Sequence, residues 1–313
     1  MNSAAGSAGQ GVETPVRVYV GSQEAQMLPV KVLEYSIRKH TELPVEIFPL
    51  HHASIEVPMP RDPRNRPRTP FSFQRFYIPQ LAGFRGRAIY LDSDMQVFRD
   101  IRELWSLPFD GADLLSAWER GESGRRPQFS VMLLNCEALR WDLPEIVQAL
   151  DRGELTYETL MYEMRVAKSI HTSIDPSWNS LEHYEAGVTG LLHYTDMTRQ
   201  PWVSRDNRLG YLWVRDLAEA IAQGVIERGM VEAHVREGYV RPSLLHQLEH
   251  GVEDPSKLPA AGTSLDARFV PPYKLMAGHA AAGAGLLQRT RGLLRRVYER
   301  SPFFRGRVQE AKR

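Results

Sequence analysis

The chain has 313 residues, of which 42% are hydrophobic and 25% are charged, and its formal net charge is +1. Such a length and apolar content are enough for one large α/β domain with additions, or for two smaller domains. The sequence contains no apolar run of about 18 residues or more, so we expect no membrane-spanning helix. The single cysteine, Cys136, has no partner for a disulfide. This predicts a reducing, cytosolic compartment and a buried thiol that is not a nucleophile.

Charge is distributed unevenly along the chain. Residues 279–313 hold nine basic and two acidic side chains, a net charge of +7, so the preceding part carries −6. Leucines recur with helical spacing among these arginines, which predicts a basic amphipathic helix. We expect this helix to lie on an anionic membrane surface, at about 1 kcal/mol for each basic residue, or else to pack against protein. The sequence thus divides into a disordered leader at 1–14, a domain at 15–277 and a tail at 278–313.

The domain begins with a predicted βαβ unit. Alternating valines at 16–20 indicate a strand, Pro29 fits the first turn of an amphipathic helix, and a second strand follows at 45–48. Such a unit is typical of a parallel, doubly wound sheet, in which ligands bind at the carboxyl ends of the strands. The pattern also predicts strands at 114–118 and 130–134 and helices at 144–150 and 156–166.

Two acids follow a buried strand directly. Residues 88–91 form an apolar run, and Asp92 and Asp94 come next, with Ser93 between them. Because the exit of such a strand is a ligand-binding position, two carboxylates there can hold a divalent cation against phosphate oxygens. The alternative is a turn in which both carboxylates accept hydrogen bonds from nearby backbone amides.

Basic residues before this strand have two interpretations. The loop at 60–70 contains four prolines and four arginines, and it either lies over an anionic ligand or, more commonly, is a solvated surface loop. The aromatic segment 71–81 is predicted to be a core helix that kinks or ends near Pro79. Arg75 is the charged residue on that helix, and it either reaches a phosphate or forms a surface ion pair.

His193 ends a short apolar run at 190–194. Histidines in that setting are more often core residues, but this imidazole could complete a cation site with Asp92 and Asp94. Manganese accepts mixed oxygen and imidazole ligands better than magnesium does.

Several segments together resemble the family-8 glycosyltransferases. They are YVGSQ, TPFSFQRFYIPQL, AIYLDSDMQVFRDIREL, SVMLLN, WNSLE and HYTDMTRQPW, in the expected order between residues 16 and 202. The resemblance implies a GT-A fold, α/β with a Rossmann-like, mostly parallel central sheet flanked by helices. It also implies that Asp92, Asp94 and His193 bind Mn²⁺, with Mg²⁺ as the alternative, and that the ion bridges the diphosphate of a nucleotide sugar.

The resemblance implies further contacts with the nucleotide sugar. Arg75 matches an arginine near the donor phosphates, and Ser93 lies where the backbone meets the ribose. Gly21, Gln23 and Glu24 follow the first strand, where the family contacts the base, although its usual Asp or Asn and Tyr are absent here.

Other motifs depart from the family pattern. Arg199 and Gln200 stand where the family has a phosphate-binding lysine, and an arginine fork is not equivalent to a lysine. Gln128 takes the place of an asparagine that faces the sugar. The family's Asp-Gln pair near the reacting carbon is missing, so Glu158 is the nearest acidic candidate for catalysis, with an exposed helix position as its other interpretation.

These features and the family resemblance predict a metal-dependent enzyme that transfers a hexose to a glycan or lipid-linked acceptor, the expected donors being UDP-glucose and UDP-galactose. Retention of the anomeric configuration is implied by the resemblance alone. The basic tail would suit a cytoplasmic enzyme, peripheral on the inner face of the membrane, that builds lipopolysaccharide or another surface glycan. Two alternatives stay open: a catalytically silent nucleotide-sugar-binding module, and a phosphohydrolase with Asp92 as nucleophile. Binding to nucleic acid is not expected, because the tail has no recognised motif for it.

Overall fold

A computed structural model describes residues 14–53, 55–69, 71–117 and 129–274 of the chain. The predicted leader up to residue 13, the whole of the predicted basic tail and Gln128 lie outside these ranges. The described part contains nine strands: β1 (Val16–Gly21), β2 (Val45–Pro49), β3 (Arg87–Asp92), β4 (Met95–Val97), β5 (Leu114–Ala117), β6 (Val131–Asn135), β7 (Ile170–Ile174), β8 (Ser180–Leu181) and β9 (Leu191–His193).

Six of these strands form the central sheet, in the order β2-β1-β3-β6-β5-β7. Strand β6 is antiparallel to both of its neighbours, whereas the pairs β1/β2, β1/β3 and β5/β7 are parallel. Five strands therefore run in one direction, which confirms the predicted α/β class with a mostly parallel sheet. Because β6 is reversed, its first residue, Val131, pairs with Leu91 near the end of β3. The entrance to β6 and the exits of β1 and β3 thus meet at one edge.

A smaller sheet, in the order β4-β9-β8, adjoins this edge. Strands β4 and β9 pair antiparallel, and their register sets Met95 opposite His193. This pairing is what brings two segments separated by about a hundred residues of sequence to the same place. The apolar run predicted at 190–194 is therefore a strand, and its histidine is placed beside the Asp-x-Asp turn.

Nine α-helices lie in the described part of the chain: α1 (Met27–Lys39), α2 (Ile78–Leu81), α3 (Arg102–Trp105), α4 (Leu143–Asp151), α5 (Tyr157–Met161), α6 (Gly210–Ala222), α7 (Arg228–Arg236), α8 (Ser243–His250) and α9 (Ala260–Ser264). Successive residues of β3 are buried on opposite faces of the sheet, with Tyr90 in one apolar cluster and Ile89 and Leu91 in the other. A third cluster joins α1 to α6 and the helices after it. No helix in the described residues has the length and apolar character needed to cross a bilayer.

Two predicted helices are shorter than expected. Segment 71–81 is a 3-10 turn at Gln74–Tyr77 followed by α2, and Pro79 sits in the first turn of α2. Proline therefore starts a helix here, where its missing N–H costs nothing, and does not end one. Helix α5 covers only part of 156–166, and Met164 has a φ of 51° that no α-helix accommodates.

Candidate functional site

A cleft of about 500 Å³ opens at the sheet edge where β1 and β3 end. The register pairs Gly21, the last residue of β1, with Asp92, the last residue of β3. Gln23 and Gln26 of the β1–α1 connection line one part of the cleft, and α5 with Tyr162 lines another. This is the edge at which an open α/β sheet binds its ligands.

Asp92 is held by two neighbours. The Tyr90 hydroxyl donates to Asp92 Oδ1 over 2.6 Å, and Arg75 Nη2 lies 3.5 Å from the same oxygen. Burial raises the pKa of Tyr90 well above its ordinary 10, so the phenol keeps its proton and remains a donor. The Arg75 guanidinium also stacks over the Tyr90 ring, 4.4 Å from its centroid, and donates to the Phe129 carbonyl. Both contacts act on Oδ1, so they fix the orientation of the carboxylate.

Gly21 makes this arrangement sterically feasible. A Cβ at position 21 would lie 2.4 Å from the Tyr90 hydroxyl oxygen and 3.3 Å from the Phe71 ring. Real Cβ atoms essentially never approach a heavy atom within 3.0 Å. The absence of a side chain on Gly21 therefore lets the phenol reach Asp92 beneath the end of β1.

Asp94 and His193 form the second half of the site. His193 Nε2 lies 3.1 Å from Asp94 Oδ1, and Gln200 Nε2 donates to Asp94 Oδ2 over 2.9 Å. His193 Nδ1 lies 3.0 Å from Asn179 Oδ1, an acceptor that fixes the proton on Nδ1. When the imidazole is neutral, its lone pair is then on Nε2, the nitrogen on the side of the carboxylates and the one available to a cation.

The electrostatic setting favours a cation. Burial acts to lower the pKa of His193, but the Asp94 and Asp92 carboxylates oppose it, and the pKa is raised overall. Ligand atoms of Asp92, Asp94 and His193 all lie within 4.8 Å of one another. Two carboxylate oxygens and an imidazole nitrogen that is held from behind by an amide make a donor set that fits Mn²⁺. Among the described residues, these three form the one group of His, Cys, Asp or Glu side chains that is close enough together to hold a metal ion.

The structure places the other predicted contact residues at different distances from the cleft. Gln23, Arg75 and Gln200 line it. Ser93 is buried between the two acids and does not line it. Glu24 Oε2 instead pairs with His51 Nε2 over 2.9 Å.

Arg199 and Glu158 also lie away from the cleft lining. The Arg199 side chain is two-thirds exposed, and its Nε is 3.8 Å from Asp196 Oδ2. Glu158, on α5, has a half-exposed side chain whose carboxylate is 3.9 Å from Arg68 Nη2. The catalytic roles of Glu158 and Gln128 stay predictions.

Three residues of the site have roles that sequence reasoning missed: Tyr90, Asn179 and Arg68. Tyr90 is two residues before Asp92 and so on the same face of β3, a spacing that could have indicated contact. Asn179 lies in the WNSLE segment, but only the fold brings it behind His193. Arg68 is one of four arginines in a loop, and nothing in the sequence distinguishes it from the other three.

The fold and this site agree with the GT-A fold that the sequence resemblance implies: a mostly parallel sheet with one reversed strand beside β3, and an Asp-x-Asp turn at the ligand edge. The model of the glycosyl transferase family 8 matches residues 21–138 of the chain. That segment contains Gly21, Arg75, Asp92 and Asp94.

Comparisons with single proteins cover part of each chain. Protein CDI of Arabidopsis thaliana is 33% identical over 101 residues, which is 32% of this chain and 39% of that protein. The chain therefore matches about two-fifths of the length of this relative.

Solved structures of glycosyltransferases resemble the chain at low identity. The apo form of GlyE from Streptococcus pneumoniae TIGR4 is 18% identical, and the match covers 68% of this chain and 64% of GlyE with a TM-score of 0.46. A galactosyltransferase, LgtC, solved with donor and acceptor sugar analogues, is 11% identical with a TM-score of 0.47, and the match covers 64% of this chain and 95% of LgtC.

Proposed function

We propose that this protein is a metal-dependent glycosyltransferase that moves a hexose from a nucleotide sugar, UDP-glucose or UDP-galactose, to a glycan or glycolipid acceptor with retention. The observation that carries the proposal is the convergence of Asp92, Asp94 and His193 within 4.8 Å at the ligand edge of the sheet. The match of the glycosyl transferase family 8 model to residues 21–138 supports it.

The residues around the cluster would hold Mn²⁺, with Mg²⁺ as the alternative, in a fixed geometry. Asp92 is oriented by Tyr90 and Arg75, and Asp94 by Gln200. These supporting contacts restrict both carboxylates before a ligand arrives, which lowers the entropy lost on binding. A divalent cation bound there would supply Lewis-acid stabilisation for the negative charge of a departing nucleoside diphosphate.

The side chains that line the cleft support a reaction in which a bound cation stabilises the leaving group and no protein carboxylate attacks the sugar. Among the described residues that line it, Asp92 and Asp94 are the only carboxylates, and both belong to the cation cluster. The described walls thus offer no carboxylate outside the cation cluster as a nucleophile or general base. Gln128 and Glu158 remain the predicted candidates for contact with the sugar and the reacting carbon.

The expected cellular setting is the cytoplasmic face of a membrane. Pro272 and Tyr273 line the cleft, so the chain leaves the described domain beside the site. A basic tail that begins there and binds anionic lipid would bring the cleft close to a lipid-linked precursor of a surface glycan. Co-sedimentation with phosphatidylglycerol vesicles, compared with phosphatidylcholine vesicles and with a chain ending at residue 274, tests this part separately.

The transferase proposal is tested by nucleoside diphosphate release from UDP-, GDP- and ADP-sugars, with and without Mn²⁺. We expect release from one UDP-hexose that requires Mn²⁺ and is lost in Asp94→Asn. The matched control is Asp206→Asn, an exposed acid that does not line the cleft.

Other results favour the alternatives. Metal-dependent nucleotide binding without release, in the presence of an acceptor mixture, would support a silent binding module. Release of inorganic phosphate from phosphate esters would support the phosphohydrolase. Failure of any nucleotide to bind, together with no release of phosphate from phosphate esters, would contradict all three and leave Asp92 and Asp94 as a turn.

A further inference from the structure

A second cation, Arg68, lines the cleft apart from the metal cluster. Among described residues, the arginines that line the cleft are Arg68 and Arg75. Arg75 is almost fully buried, and its guanidinium lies against Asp92, which places it at the metal cluster. Arg68 is 62% exposed, so it lies where the cleft opens to solvent.

Arg68 is held on an aromatic surface. Its guanidinium carbon lies 4.6 Å from the centroid of the Tyr157 ring and 5.5 Å from that of Tyr162, and its Nη1 donates to the Tyr162 hydroxyl. The two rings meet edge to face, and Tyr157 itself stacks on buried Phe73. Cation–π contacts with rings that are themselves packed fix the guanidinium plane, so little side-chain entropy is lost when it binds an oxyanion.

The charge of Arg68 is only weakly compensated. The Glu158 carboxylate is 3.9 Å from Nη2, beyond hydrogen-bond distance, and both side chains are about half exposed or more. Exposed ion pairs of this kind are weak, so Glu158 would not prevent a second anion from binding.

The other arginines of the same loop are arranged differently. Arg64 is paired with Asp62 at 2.7 Å, Arg61 lies 3.7 Å from Asp151, and Arg66 donates to the Pro60 carbonyl. None of these three lines the cleft. The loop is tied to α5 by Asn65 Oδ1, which accepts from the Tyr157 backbone amide over 3.1 Å. That contact anchors the loop so that Arg68, and not its neighbours, lies over the tyrosines.

The position of Arg68 separates it from the nucleotide. In a doubly wound sheet a mononucleotide binds at the first β–α connection, which here contributes Gln23 and Gln26 to the cleft. Arg68 instead lies with α5 and Tyr162. The part of the cleft around Arg68 is therefore left for the acceptor, the second substrate of the proposed transfer.

We propose that Arg68, which packs on the Tyr157 and Tyr162 rings, is a binding site for an anionic group of the acceptor, either a uronate carboxylate or a sugar phosphate. The inference rests on the proposed glycosyl transfer, because it assigns the acceptor of that reaction. A planar guanidinium fork presents two parallel N–H donors to either oxyanion, so the chemistry is common to both sources. A neutral glycan would leave this cation without its ligand.

The test is titration of the full chain with methyl β-glucuronide, glucose 6-phosphate and methyl β-glucoside, followed by NMR, with and without UDP and Mn²⁺. We expect at least one anionic probe to bind about tenfold more tightly than the neutral glucoside, as for one hydrogen bond to a charged group. In Arg68→Gln this preference should fall to about one, while Arg64→Gln keeps it. The stronger of the two anionic probes identifies the carboxylate or the phosphate as the source.

Two results would overturn the inference. One is equal binding of all three probes by the wild type, and the other is an anionic preference that survives in Arg68→Gln. Loss of UDP affinity in Arg68→Gln would also overturn it, because the arginine would then belong to the donor site. Probe titrations without nucleotide still report on Arg68 if UDP fails to bind, so failure of the proposed function is distinguished from failure of this inference.

Discussion

Replacing Gly21 with alanine tests how the Asp92 carboxylate is positioned. The added Cβ would lie 2.4 Å from the Tyr90 hydroxyl oxygen, so the phenol must move by about 1 Å to reach ordinary van der Waals contact. The hydroxyl now donates to Asp92 Oδ1 over 2.6 Å, and a displacement of that size breaks the bond.

Two effects of Gly21→Ala are expected. Overpacking at a buried strand end should lower the free energy of unfolding by about 1–3 kcal/mol. Loss of the contact that orients a metal ligand should weaken Mn²⁺ binding, measured in the presence of UDP, by about tenfold. Urea denaturation and calorimetric titration of Mn²⁺ measure the two effects separately.

Two control variants separate the effect of the clash with Tyr90 from the general effect of replacing a glycine with alanine. Gly229, on α7, has open space where an added Cβ would lie, so Gly229→Ala should stabilise the protein slightly and leave Mn²⁺ affinity unchanged. Adding Tyr90→Phe to Gly21→Ala removes the closest clash, so stability should partly recover while Mn²⁺ affinity stays low. Wild-type stability and Mn²⁺ affinity in Gly21→Ala would refute the reasoning.

Three further predictions concern other residues. Asn179→Ala should weaken Mn²⁺ binding by about 10- to 100-fold without unfolding the protein, since it removes the acceptor that fixes the His193 tautomer; calorimetry measures this, and unchanged affinity would contradict it. Arg241 is fully buried and donates hydrogen bonds to the Pro201 carbonyl and to Gln247. Arg241→Met should lower the free energy of unfolding by about 3 kcal/mol, because these partners lose their hydrogen bonds. An unchanged urea midpoint would show that the buried arginine does not stabilise the fold. Burial raises the pKa of Cys136 from 9.0 to about 11, so at pH 8 the native thiol is protonated and should react with a thiol reagent much more slowly than the urea-unfolded chain; equal rates would show that the thiol is accessible.

Five of the six strands of the central sheet could be predicted from local patterns because they are short hydrophobic runs with clear ends, whereas β7 has an exposed, polar middle and gives no such pattern. The run before Asp92 pairs on both sides, as β3, and the alternating valines form β1. Local patterns do not specify strand direction, however, and the reversal of β6 depends on how its connections pack. The same limit applies to Pro79, whose effect depends on whether it falls at the start or the end of a helical turn.

The residues of the candidate site also fall into those that could be predicted from the sequence and those that could not. Asp92 and Asp94 were recognisable from their place after a buried strand, and His193 from the family resemblance. Their convergence depends on the pairing of β4 with β9, which joins segments far apart in sequence. Arg68 could not be separated from the other loop arginines, because its direction is set by the anchoring of the loop on α5. Glu158 has an acidic side chain at a plausible sequence position, but α5 turns it toward solvent and Arg68.

The most direct test of the metal-centred account is the thermodynamic coupling between UDP and Mn²⁺. Calorimetric titrations should show that Mn²⁺ tightens UDP binding at least about tenfold and that UDP tightens Mn²⁺ binding by the same factor, because one ion would bridge protein and diphosphate. In His193→Gln the coupling should disappear while the fold, followed by circular dichroism, is retained. Equal UDP affinity with and without Mn²⁺ in the wild type, or full coupling in His193→Gln, would contradict the assignment of Asp92, Asp94 and His193 as the cation site.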